Sequence, residues 1–171
     1  EWRWRIEADA AQAAASVGGT LLADEEMLGV VTHLVEFPAV AVGRFSEAFL
    51  ELPPEVLITA MREHQKYFAV MGEGGRLLPH FVVVNNTPAN DMTVVIRGHE
   101  RVLRARLEDA KFFYRSDREV PLEHQVERLK SVLFQAQLGS IFDKVRRAEA
   151  LARWIAENTG GGAERVEHAE R

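Results

Sequence analysis

The residues best suited to chemistry lie between positions 91 and 118. At ~100° per residue, a helix over Asp91–Arg115 sets Arg97, Arg101, Arg104, Lys111 and Arg115 along one face, at steps of three, four or seven. Glu108 interrupts the row and Arg118 extends it if the helix continues. Between residues 97 and 118 there are seven Lys or Arg against four Asp or Glu, in a chain whose formal net charge is -5. A local positive excess inside an acidic protein points to phosphate contact. The same residues also suit a solvated face laced with intrahelical pairs, Glu100 with Arg104 and Arg104 with Glu108. Arg106 stands apart, because the wheel groups it with Val95, Val102, Leu103, Ala110 and Phe113. A guanidinium buried alone there is costly, so a structural ion pair with an acidic residue of the preceding region is expected.

A second group is Glu63-His64-Gln65-Lys66-Tyr67-Phe68, where a helix is expected to give way to a strand. Its cation and rings suit phosphate pairing and base stacking. Side chains alternate along a strand, so Phe68 is assigned to the core, while Lys66 and Tyr67 are kept as RNA-contact candidates. Asn85-Asn86-Thr87-Pro88 reads as turn chemistry. The histidines at 33, 64, 80, 99, 124 and 168 show no metal-ligand spacing, and there are no cysteines. The run Gly72–Gly75 lacks the following helix and the Lys-Ser/Thr of a phosphate loop. No catalytic residue, metal site or cofactor is expected in this piece.

These groups must be positioned by a folded scaffold, and 47% hydrophobic content in 171 residues allows one. The longest apolar runs, such as Phe81–Val84, are far too short to cross a membrane. Helices are expected over Glu1–Val17, from an Asp24 cap to the Pro38 stop, and from Pro54 to about His64. Strands are expected over Ala39–Phe45, Tyr67–Met71 and His80–Asn85, the last two joined through the glycines at 72, 74 and 75. After the long helix, another starts at Pro121 and a third is capped by Ser140 or Asp143 and ends at Gly160–Gly162, whereas Leu129–Gly139 is ambiguous. The fold class expected is α+β: a small antiparallel sheet with a hairpin packed by helices, followed by a helical C-terminal half. The division expected is residues 1–89 for the helix and sheet region, 90–159 for long amphipathic helices packing on it, and 160–171 for the start of a truncated helical region.

Six phrases carry a family resemblance in order: Leu34–Pro38, His64–Phe68, Leu77–Phe81, Gly98–Leu107, Asp109–Tyr114 and Leu133–Gly139. Together they resemble the beta chain of the bacterial heterotetrameric glycyl-tRNA synthetase, of which this chain would be an internal piece. The resemblance implies a cytoplasmic two-alpha, two-beta ligase that attaches glycine to tRNA using ATP. It implies that the adenylate-forming site, and so the ATP, belongs to the alpha subunit, while the beta subunit binds tRNA. The implied partners are glycine tRNA, the alpha subunit and the remaining beta-chain domains, with no membrane. Gly162–Arg171 is similar to the entrance of the family's HD-type helical domain. Two roles then compete: tRNA support through the 97–118 face, or a protein–protein scaffold without RNA contact. A hydrolase acting on mischarged tRNA is a third reading, which lacks a metal constellation.

Overall fold

The computed structural model describes residues 2–159. The chain divides into two compact units, Glu1–Arg115 and Ser116–Arg171.

In the first unit the elements run α1 (Trp2–Ser16), β1 (Thr20–Leu21), α2 (Glu25–Leu34), β2 (Ala39–Arg44), a 3-10 turn (Glu47–Glu51), α3 (Pro54–Gln65), β3 (Phe68–Met71), β4 (Leu77–Asn85) and α4 (Met92–Glu119), which runs on past the unit boundary. The strands form one antiparallel sheet in the order β1-β3-β4-β2. Both faces are covered, so alternation along each strand sorts side chains between two cores. Phe68, Val70 and Val82 face the layer made by α1 and α2, where they meet Ile6, Ala10, Ala14, Met27, Leu28 and Val31. Ala69, Phe81 and Val83 face the other way, toward Leu57 and Met61 of α3 and Leu103 and Leu107 of α4.

Local signals explain the element ends. Asp24 accepts the Met27 N–H at 2.8 Å as the cap of α2. The same carboxylate takes Arg62 Nε at 2.6 Å, and Arg62 also reaches Glu26 at 2.6 Å, so α3 is tied to the start of α2. Lys66 closes α3 in the left-handed conformation at φ 56°, its N–H returning to the Met61 and Arg62 carbonyls. The expected α+β class, the helices and the hairpin are found. Three short elements were not expected, β1, the 3-10 turn and a second 3-10 turn at Glu73–Gly75 in the hairpin loop, and the division anticipated after residue 89 falls inside the first unit because α4 contributes to its core.

Gly43 is demanded by its partner. It pairs with Phe81 across β2 and β4, and a Cβ at position 43 would fall inside the Phe81 ring. The ring therefore lies over the glycine and, on its other side, stacks with Tyr67 at 4.6 Å between centroids and 20° between planes.

The second unit holds α5 (Leu122–Arg128), a small hairpin of β5 (Leu133–Gln135) and β6 (Gly139–Ser140), and α6 (Ile141–Asn158). The ambiguous stretch is thus a 3-10 turn followed by this hairpin. Ser140 and Asp143 both cap α6 in a reciprocal box. None of the described side chains from Ser116 onward is buried. The region expected at 160–171, and the helix stop at Gly160–Gly162, lie outside the described residues.

Replacing Gly43 with Val is expected to cost about 1–3 kcal/mol, because Phe81 and Tyr67 must move together in a packed layer. Urea denaturation of the variant against the parent chain measures this, and an unchanged midpoint would show that the stack yields freely.

Candidate nucleic-acid interface

Helix α4 presents its basic row on the flank beside its buried stripe. Met92, Ile96, Leu103, Leu107, Ala110 and Tyr114 pack on the sheet, with Leu103 and Leu107 fully buried. At ~100° per residue, Arg97, Arg101, Arg104, Lys111 and Arg115 then lie about 70–150° around the helix from that contact, Lys111 nearest to it. Arg97, Arg101 and Arg104 are exposed and make no ion pair or hydrogen bond among the described residues. The two further members are engaged by Glu51 of the 3-10 turn, Lys111 at 3.8 Å and Arg115 at 3.4 Å, and Lys111 also stands over the Phe49 ring. Arg118 is exposed near the end of the helix, which does continue to Glu119.

The intrahelical pairs considered for Arg104 do not form. Glu100 instead accepts the backbone N–H of Arg44 at 3.0 Å, capping a free donor at the end of β2. Arg104 and Glu108 are both exposed and unpaired among the described residues.

Two expected placements are corrected. Arg106 is exposed and has no ion pair among the described residues, so it is not the structural cation anticipated. The buried stripe is centred close to Leu103, about 60° around the helix from the centre of the face drawn through Val95, Val102, Leu103, Ala110 and Phe113, and Val102 and Phe113 are exposed with Arg106. Tyr67, kept as a contact for RNA, is only 2% exposed. Lys66 is not brought to the basic row either: its ammonium bonds the Glu63 carbonyl at 3.2 Å, in a hollow shared with Glu26 and Arg62.

A partly buried chain of hydrogen bonds ties α4 to the sheet. Asn85 Nδ2 donates to the Ala39 carbonyl at 3.1 Å, which turns its Oδ1 toward His99 Nε2 at 2.8 Å. His99 must therefore donate from Nε2, leaving Nδ1 to accept the Tyr67 hydroxyl at 2.8 Å. Burial holds the His99 imidazole below its usual range and pushes the Tyr67 phenol up to about 12. Both groups are thus kept neutral, as this direction of donation requires. Asn86 performs the expected turn chemistry, its Oδ1 accepting the Glu36 N–H at 2.6 Å. Sequence spacing held no sign of the Tyr67–His99–Asn85 chain, because its members come from three separate segments, the junction before β3, α4 and the end of β4.

The family described as "Glycyl-tRNA synthetase beta subunit" matches residues 1–171. The chain belongs to the glycyl-tRNA synthetase beta subunit family. A glycine–tRNA ligase beta subunit from Geotalea uraniireducens (strain Rf4) is 54% identical over 149 residues, covering 87% of this chain and 22% of the relative. That of Desulforapulum autotrophicum is 56% identical over 137 residues, 80% of this chain and 20% of the relative. That of Geobacter sulfurreducens is 50% identical over 144 residues, 84% of this chain and 21% of the relative. This chain therefore spans about a fifth of the length of the beta subunits it matches. No helix among the described residues is long and apolar enough to cross a membrane.

The depressed His99 pKa fixes the sign of a pH effect. Between the folded value and the unfolded value of about 6.5, the unfolded chain binds more protons, so the stabilising contribution is full above that window and is lost as pH falls through it. Stability measured by urea denaturation is expected to drop on acidification below about pH 6.5. A His99→Gln variant is expected to lose part of that slope and about 1–3 kcal/mol at pH 8, from the unpaired Tyr67 and Asn85 groups. A variant with unchanged stability and slope would contradict the buried chain.

Proposed function

We propose that this chain serves a glycine–tRNA ligase as a non-catalytic part of its beta subunit that contacts glycine tRNA through the basic face of α4. The adenylate-forming site and its ATP are assigned to the alpha subunit, and the work to the cytoplasm. The observation that carries the reading is the row Arg97, Arg101 and Arg104, exposed and without a protein partner among the described residues on a helix whose buried side is fixed in the core. Charges held on a rigid element at helical spacing match the regular charge of a nucleic-acid backbone. Lys111 and Arg115 add to the row, since surface pairs such as theirs with Glu51 are worth only about 1 kcal/mol or less. Phe112, 66% exposed and also turned from the core, gives a ring for stacking beside the cations.

A scaffold role toward the alpha subunit or the remaining beta-chain domains is the second reading. It is favoured by the exposed Val102 and Phe113 on the flank of α4 and by Leu133, Leu151 and Trp154 in the second unit, apolar side chains left open to solvent.

Glycine tRNA is expected to bind this chain more weakly as salt rises. Replacing Arg97, Arg101 and Arg104 singly with Ala should reduce the slope of log affinity against log salt by roughly one for each cation removed from a phosphate. Filter binding across a salt series, with circular dichroism to verify folding, measures both effects. Absence of binding at low salt by a folded chain would favour the scaffold reading.

A further inference from the structure

A cleft of about 450 Å³ opens beside the end of the β2–β4 pair, lined by Arg44, Ser46, Glu47, His80, Glu100 and Arg104. Its size is that of a small-molecule site. The phosphate reading of α4 accounts for Arg104 and leaves the rest of the cleft unexplained.

The charges alternate on both walls. The end of β2 and the 3-10 turn after it contribute Arg44 and Glu47, while α4 contributes Glu100 and Arg104, four residues apart on one side of the helix. None of these four side chains is ion-paired among the described residues. Glu100 spends Oε1 on the Arg44 backbone N–H and keeps its second oxygen. His80 stands between the walls, and its Nδ1 is buried without a hydrogen-bond partner. Burial, and then the nearby Arg44, hold His80 below its usual pKa, so it enters as a neutral donor or acceptor.

The sign of the ligand follows from the inventory. A phosphate or a simple carboxylate gains two guanidiniums but faces two carboxylates, and a simple amine meets the reverse. A compact molecule carrying one charge of each sign finds a partner for both. We propose that this cleft binds a small zwitterion of the free α-amino-acid class, its carboxylate held by Arg44 and Arg104 and its ammonium by Glu47 and Glu100. His80 lines the same cleft, and its ring reports occupancy. The inference shares Arg104 with the tRNA reading and stands without it.

The test follows the imidazole resonances of His80 in the 171-residue chain during titration with glycine, L-alanine, L-serine and L-methionine. Propionate, ethylamine and inorganic phosphate serve as single-charge controls. At least one amino acid is expected to give a saturable shift, with each control weaker by about tenfold or more, the scale of losing one charged hydrogen-bond partner. Arg44→Gln and Glu47→Gln are each expected to weaken that binding by a similar factor while the remaining amide spectrum stays in place. The proposal is overturned if no amino acid gives a saturable shift, or if phosphate or propionate binds as tightly. Arg44 and Glu47 lie outside the basic row, so these results are independent of whether tRNA binds.

Discussion

The Tyr67–His99–Asn85 hydrogen-bond chain ties α4 to the sheet in one rotation, and the proposed RNA-contact face depends on that rotation. Hydrophobic contact by Leu103 and Leu107 holds the helix against the sheet, but apolar packing is not directional. A buried polar chain is directional, because each donor must find one acceptor at the correct distance or leave a costly orphan. In the observed rotation His99 satisfies Tyr67 and Asn85 together, and the same rotation leaves Arg97, Arg101 and Arg104 exposed. The anchor of the chain is itself fixed, since Tyr67 is stacked on Phe81 and Phe81 occupies the space over Gly43. A glycine in a strand thus reaches the surface of a helix through two rings and an imidazole.

The charges of α4 are divided among three tasks by where each falls around the helix. Glu100 caps an open backbone donor of β2, and Lys111 and Arg115 lean on Glu51 of the 3-10 turn. Arg97 and Arg101 are left for solvent or a ligand, and Arg104 lies where the basic row meets the mixed-charge cleft. Such a division favours positioning over binding strength within the chain, because exposed pairs of this kind add little stability. An exchange of Glu51 for a phosphate therefore costs little, and the free arginines give up no protein partner on binding.

Elements with a strong period or a cap were legible in the sequence. Asp24, Pro38, Pro54, the glycines after Met71 and the Ser140–Asp143 box each mark a boundary through local chemistry, and the structure ends its elements within a residue or a few of them. β1 escaped because Thr20 and Leu21 form a two-residue strand that is only defined by pairing with Met71 and Val70. The basic row was legible because its period is that of the helix. The side of α4 that faces the core was misjudged by about 60°, since Val102 and Phe113 are as apolar as Leu107 and nothing local says which is covered. Arg106 and Tyr67 were misplaced for that kind of reason: burial is decided by partners distant in sequence. The cleft was invisible because Arg44, Glu47, His80 and Glu100 come from four separate segments, each ordinary by itself.

The central claim is that α4 turns its Arg97–Arg101–Arg104 face toward RNA in the working ligase. The most direct measurement places a photo-crosslinking amino acid at position 101, and separately at the exposed position 109 on another side of the helix, in the complete ligase bound to glycine tRNA. The account predicts RNA adducts from position 101 and few or none from position 109. Adducts to protein alone from position 101, or equal RNA adducts from both positions, would contradict it.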